Sequence, residues 1–300
     1  MANSPVMNTL TAYVEQRRLP LISAATLGAK SAKMFNLQTG IKTSAALNLL
    51  ATDVKFGDGL SCGWAETGTQ SLTQRVLNTG NVKINMAYCD RTMLKYWTQF
   101  AVRQAAGEES LPFEEQFINE VIKNTQAAVE KTIWQGDTTS EDVNLKVTDG
   151  LLKIAKNDAS VNKVTIQGTS AYDDIIAVYM AIPAKVLDGA VIFVGEDKYR
   201  EFTKELMEKN LFHYDGAYSN GEIFVPGTNV KVVAVSGLNG TGKIFAARPE
   251  DIYFGTDMEG DEEKFDFWYS KDSQEFRLVI KFNFGVQYSF SDQVVLGATA

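Results

Sequence analysis

The segment from Glu109 to Asp137, ESLPFEEQFINEVIKNTQAAVEKTIWQGD, restricts the fold more than any other part of the chain. Ser110 can cap a helix, Pro112 suits its first turn, and Glu114 and Glu115 favour the positive end of the helix dipole. Phe117, Ile118, Val121, Ile122, Ala128 and Val129 recur at three- and four-residue steps, as one buried stripe requires. Gly136 can stop the helix. The spacing predicts a helix over 111–135, about 36 Å long at 1.5 Å per residue. That is about twice the usual length. A core helix of an ordinary α/β protein has the same stripe, but this length points to a strut.

The rest of the chain divides around that strut. Residues 1–50 are rich in Ala, Ser, Thr and Asn with scattered apolar residues, and read as an extended or loosely helical arm. Residues 51–89 are punctuated by Gly57, Gly59, Gly63, Gly68 and Gly80 and end in the alternating run NVKINMAY, a long hairpin-like excursion. In that run Val82, Ile84 and Met86 share one face and Lys83 and Asn85 the other. A stretch with so few large apolar side chains cannot bury a core of its own, so a partner subunit is the expected source of its order. Asp90 can cap a further helix, DRTMLKYWTQFAVRQ. After the long helix, SAYDDIIAVYMAIP reads as a helix capped by Ser170 and Asp173, GAVIFVG as a buried strand and EDKYREFTKELMEKN as an amphipathic helix. GEIFVPG, NVKVVAVSG, KIFAARP, DIYFG, KFDFWYS and EFRLVIKFNFGVQYSF read as strands, the last with Phe276, Leu278, Ile280 and Phe282 on one face. The fold class is α+β.

Composition excludes several functions. No run reaches the ~18 apolar residues of a membrane span, and the first residues lack a basic start followed by an apolar core, so the chain is expected in the cytosol. Cys62 and Cys89 are expected as free thiols. The charge is uneven within a net of −8. Arg17, Arg18, Lys30, Lys33 and Lys42 face one acid, Glu15, in the first 50 residues, whereas 250–275 hold ten acids against Lys264 and Lys271. Each run can be a solvated face; a cationic arm on an acidic body also suits nucleic-acid phosphates.

Catalytic constellations are scarce. GLNGTGKI, Gly237 to Ile244, has the G-x-x-x-x-G-K spacing of a phosphate-binding loop, which makes a nucleotide hydrolase using Lys243 one alternative. Ile244 stands where such a loop carries its magnesium-binding hydroxyl, and the following KIFAARP reads as strand where the loop needs a helix. A hairpin turn at Asn239-Gly240 is the preferred reading. His213 is the single histidine and lies among aromatics, so no histidine metal pair exists. The acidic run Asp257 to Glu263 does not match a calcium loop. No catalytic residue, cofactor or metal is expected.

The order of the parts carries more than any motif. A cationic arm, a long hairpin, one very long helix, a compact α/β insertion and long closing strands resemble the major capsid protein of tailed bacteriophages, the HK97-like shell subunit. YFGTD and FNFGVQY are the words most similar to that family. The resemblance spans the whole chain and implies an N-terminal arm (1–50), an extended loop (51–89), a peripheral domain (90–169) with a spine helix, an axial domain (170–255) and a return into the peripheral strands (256–300). It implies a structural protein that assembles as pentamers and hexamers into an icosahedral virion shell around double-stranded DNA, in the host bacterial cytoplasm, with a portal and no membrane. The start at Met1 leaves no room for a cleaved scaffolding segment, so a separate scaffold protein or none is implied. Val82, Lys83, Ile84 and Met86 are expected to touch a neighbouring subunit, and Arg17, Arg18, Lys30, Lys33 and Lys42 to face the lumen. An encapsulin-type nanocompartment is the nearest alternative.

Overall fold

The computed structural model describes residues 17–57, 64, 68–89, 95, 98, 113–211, 222–257 and 264–299. The described chain opens with two helices, α1 (Arg18–Leu27) and α2 (Lys30–Met34), followed by β1 (Asn36–Gln38), β2 (Ser44–Asp53), β3 (Thr69–Asn78) and β4 (Gly80–Cys89). The long helix is α3 (Phe113–Gln135). After α4 (Leu151–Asn157) come β5 (Asn162–Ile166), α5 (Ala171–Ala181), β6 (Val191–Val194) and α6 (Glu196–Glu208). β7 (Glu222–Phe224), β8 (Lys231–Ala234), β9 (Ile244–Ala247), β10 (Ile252–Gly255), β11 (Lys264–Ser270), β12 (Glu275–Tyr288) and β13 (Val295–Thr299) complete it. Cys62, His213 and the helix expected from Asp90, save Lys95 and Thr98, lie outside the described residues.

Two sheets flank α3. In the first, β12 is bordered along Glu275–Lys281 by β11 and β4, both antiparallel, and at Gly285–Tyr288 it pairs with β10, which pairs in turn with β1. The alternation of β12 points Phe276, Leu278, Ile280 and Phe282 at one core, where the first half of α3 lies. Phe117 of α3 meets Tyr88 of β4 edge-on at 4.9 Å and Phe267 of β11 at 6.4 Å between ring centroids. The second sheet has the order β5-β13-β9-β6-β8-β7. One face of it, with Ile192, Val194, Val232 and Ile244, is covered by α5 and α6 through Ile175, Val178, Phe202 and Leu206.

The other face of the second sheet receives the end of α3. Trp134 is fully buried, with ring centroids 5.1 Å from Phe193, 5.5 Å from Phe245 and 6.0 Å from Phe35. An indole of ~200 Å² buried there contributes about 5 kcal/mol. Val129 to Trp134 are buried with no exposed residue but Lys131, whereas the first turns bury only a stripe. α3 is therefore a strut whose two ends pack on the two sheets within one continuous core.

Several expectations need correction. The arm over 1–50, read as extended or loosely helical, does contain helix, but that helix is packed rather than loose: α1 and α2 bury Leu21, Ile22, Ala25, Ala29 and Ala32 in the main core. Buried Glu130 of α3 holds α2 by accepting from the Ser31 amide at 2.9 Å and its hydroxyl at 2.5 Å, and the Trp134 Nε1–H donates to the Ser31 hydroxyl at 2.8 Å. β2, placed by the sequence partly in the arm, is the first strand of the hairpin. β10, expected to close the axial domain, pairs with β12; β13, expected among the peripheral strands, joins β5 and β9 in the second sheet. The cap on α5 forms as read, the Asp173 amide donating to Ser170 Oγ at 3.2 Å. Glu205 of α6 strengthens it by accepting from Ser170 Oγ (2.6 Å) and the Ala171 and Tyr172 amides (2.9 and 3.0 Å).

Candidate functional site

The feature that projects from this body is the hairpin of β2 and β3, paired from Ser44↔Asn78 to Asp53↔Thr69. Ten residues per strand reach about 33 Å. Only its root has a core: Ile41, Leu47 and Leu77 are buried together. Leu49 is the last buried side chain of β2; Leu50 and Leu72, directly opposite each other, are 56% and 73% exposed. Val54, Phe56 and Trp64 at the tip are exposed almost entirely. An apolar stripe on a two-stranded ribbon is stable only against another surface.

The root is fixed in three ways. Gly255 of YFGTD and Gly285 of FNFGVQY are register partners. A Cβ on Gly255 would lie 2.3 Å from Leu77 Cδ2, and one on Gly285 would lie 2.0 Å from the Asn78 carbonyl oxygen. The paired glycines thus open a seat in the sheet for the hairpin root. Beside it, buried Asn283 donates from Nδ2 to the carbonyls of Ile41 (2.9 Å) and Lys42 (3.1 Å) and accepts the Asp257 amide at 2.7 Å. Arg75 of β3 supplies the third tie, donating to Asp158 Oδ2 at 3.0 Å and to Ser291 Oγ, with its guanidinium 4.4 Å from the Tyr288 ring centroid. Asp158 also accepts from Tyr288 OH (3.0 Å), Ser291 Oγ (2.8 Å) and the Ser160 amide (2.9 Å). Burial pushes the Asp158 carboxyl up, but these donors outweigh it and bring it down to about 2. Burial holds the Tyr288 hydroxyl well above its ordinary value.

The residues expected to touch a neighbour are divided by the structure. Val82, Ile84 and Met86 are half-buried and pack on the subunit's own core, because β4 pairs along its whole length with β12. Their apolar face is used within the chain. Lys83 points the other way and is exposed. Of the arm cations, Lys30, Lys33 and Lys42 are exposed, and Lys30 also donates from Nζ to the Ala234 carbonyl at 2.9 Å. Arg17 is exposed at the start of α1.

GLNGTGKI does not build a phosphate cradle. Gly237 lies in a short 3-10 turn against α3, where a Cβ would stand 2.3 Å from Trp134 Cδ1 and 2.4 Å from the Glu130 carbonyl oxygen. The Gly240 amide donates to Asp197 Oδ2 at 2.9 Å, so a carboxylate stands where an anion would bind, and the Asn239 side chain is held by accepting the Glu196 amide at 2.6 Å. A strand, β9, follows Lys243. The hairpin reading also fails: β6 lies between β8 and β9, so the segment is a crossover that packs on α3. Among the described residues no group of three His, Cys, Asp or Glu side chains is placed to hold a metal, and no helix is long and apolar enough to cross a membrane.

No protein-family model matches the chain, and no curated protein matches its sequence. Solved structures do match its shape. A chain of the satellite phage P4 procapsid superposes with a TM-score of 0.65 at 11% identity, over 99% of this chain and 98% of that one. The fold is that of a phage capsid subunit. A chain of Microbacterium phage Oxtober96 superposes with a TM-score of 0.57 at 12% identity over 91% of each chain. The virus-like particle from Pyrococcus furiosus superposes less closely, with a TM-score of 0.51 at 8% identity over 97% of this chain and 99% of that one. Sequence reasoning missed the Arg75 clamp; its signal was only a lone arginine in an otherwise uncharged strand.

Proposed function

We propose that this chain is the major capsid protein of a tailed bacteriophage, many copies of which close into an icosahedral shell around double-stranded DNA. The observation that carries this reading is end-to-end agreement with a procapsid chain, at almost complete coverage of both. The exposed apolar stripe on the hairpin supports it, since such a ribbon needs a neighbouring copy. Closure follows when rings of six are interrupted by rings of five. The role is structural, with no catalytic step.

The partners proposed are other copies of the chain, a separate scaffold protein, a portal and packaged DNA, in a virion assembled in the bacterial cytoplasm. Arg17, Arg18, Lys33 and Lys42 are the arm cations proposed to face the lumen; Lys30 contributes less, its ammonium being engaged by the Ala234 carbonyl. A nanocompartment shell is the second reading, supported by the near-complete coverage of the Pyrococcus furiosus particle chain, at a lower TM-score than the phage P4 chain. The test is electron microscopy of the full chain, expressed alone and with any adjacent scaffold gene. Closed icosahedral particles are expected, and a chain that remains monomeric in every condition would overturn the proposal. Duplex DNA inside particles from infected cells separates a phage shell from a cargo compartment.

A further inference from the structure

Lys281 of β12 stands directly opposite Lys83 of β4 on one side and Lys264 of β11 on the other. Directly paired residues project from the same face of a sheet, so three ammonium groups form one row about 10 Å across. The opposite face carries Phe276, Leu278 and Ile280 into the core. Lys83 and Lys264 are exposed and Lys281 is half-exposed. Among the described residues none of the three makes an ion pair. Arg277 adds a fourth cation on this face, against Asp266 and Glu275. Like charges directly opposite one another destabilise a sheet, and uncharged side chains would occupy these solvent-side positions at less cost.

We propose that this lysine row is a docking surface for carboxylates of a second copy of the chain, supplied by the acidic run Glu259, Asp261, Glu262 and Glu263. The inference rests on the shell reading above. In an assembly of identical copies both sides of each contact come from the same sequence. This sequence has a net charge of −8, with four carboxylates in the five residues 259–263. Copies of such charge repel one another unless a cationic surface meets the acidic run, and the lysine row provides one on the body of the subunit. Lys83, expected from the sequence to touch a neighbour, would do so through its charge and together with Lys264 and Lys281.

The test uses full-length chains labelled with heavy and light nitrogen, mixed before assembly and treated with a carbodiimide that joins lysine directly to carboxylate. Peptides joining Lys83 or Lys281 to the Glu259–Glu263 run, in heavy-light combinations, are expected from particles and not from monomers. The combined variant Lys83→Glu, Lys264→Glu, Lys281→Glu should fold but lose particles. Co-expression with the variant Glu259→Lys, Asp261→Lys, Glu262→Lys should restore particles containing both chains. Cross-links confined to single chains, or normal particles from the lysine-reversed variant, would overturn the inference while leaving the shell reading intact. Duplex DNA binding lost on reversal, without inter-chain cross-links, would assign the row to nucleic acid and overturn it equally. Absence of particles from the unmodified chain under every condition would instead remove the shell reading, and this inference with it.

Discussion

Replacing Gly285 by alanine tests whether the hairpin is held by the glycine seat. The new methyl carbon would lie 2.0 Å from the Asn78 oxygen, 2.9 Å from the Asn78 carbonyl carbon and 3.0 Å from Thr79 Cα. All three are backbone atoms, so no side chain can swing away, and the root must retreat by roughly 1.5 Å to reach ordinary contact distance. Overpacking of this kind costs about 1–3 kcal/mol. Retreat also draws Leu77, fully buried, part-way out of its pocket and strains the bond from the Thr79 amide to the Thr43 carbonyl. Partial exposure of a leucine adds about 1 kcal/mol, for a total of about 2–4 kcal/mol and a fall in Tm of about 3–6 °C. The control is Gly40→Ala: Gly40 has φ +79° and no atom within 4 Å of an added Cβ, so only the left-handed backbone is penalised, by about 1 kcal/mol. Scanning calorimetry gives the stability, and hydrogen exchange at Leu77 and Thr79 reports the root. If Gly285→Ala matches Gly40→Ala in Tm and keeps full protection at the root, the seat argument is wrong.

The Arg75 clamp should be sensitive to acid. Asp158 has a lowered pKa, so its contribution is fully present above about pH 4 and is lost as pH falls toward its folded value of about 2. A shift of that size corresponds to about 2 kcal/mol, and Asp158→Asn should remove that part of the acid dependence in pH-resolved chemical denaturation. Trp134→Phe removes the donor to Ser31 and leaves Glu130 with fewer partners, so a loss of about 1–3 kcal/mol with increased exchange in α2 is expected. Lys243→Ala should leave folding unchanged, and calorimetric titration with magnesium ATP should show no saturable binding before or after the change.

Sequence periodicity revealed the elements that have one wet face. α3 over its first turns, α6 and the inner side of β12 all alternate between core and solvent, and each was legible within a few residues. α1 and α2 were legible only as an extended or loosely helical arm, because α2 is five residues long, too short to set a period, and their Ala, Ser and Thr looked like loop composition. β5 and β13 are short and take their identity from each other, in a parallel pairing more than a hundred residues apart in sequence. The Gly237–Lys243 spacing was legible as a motif and misleading as chemistry. Its first glycine is required by Trp134, a contact 103 residues distant in sequence that no local pattern encodes.

β4 shows where pattern reading stops. Its alternation correctly assigns Val82, Ile84 and Met86 to one face and Lys83 to the other, but a period of two does not say whose core covers the apolar face. Ten consecutive pairs with β12 decide that it is the subunit's own. The glycine-rich stretch therefore has to be divided: β4 and the root, up to Leu47 and Leu77, belong to the folded body, and the ribbon beyond Leu50 and Leu72 does not. An isolated subunit should accordingly keep its amides protected in β4 and at the root while exchanging rapidly at 50–57 and 68–72, and in assembled particles the outer ribbon should become protected as well. Uniform protection along the hairpin in the isolated subunit would mean that the ribbon is self-supporting. Its exposed leucines would then have no bearing on assembly.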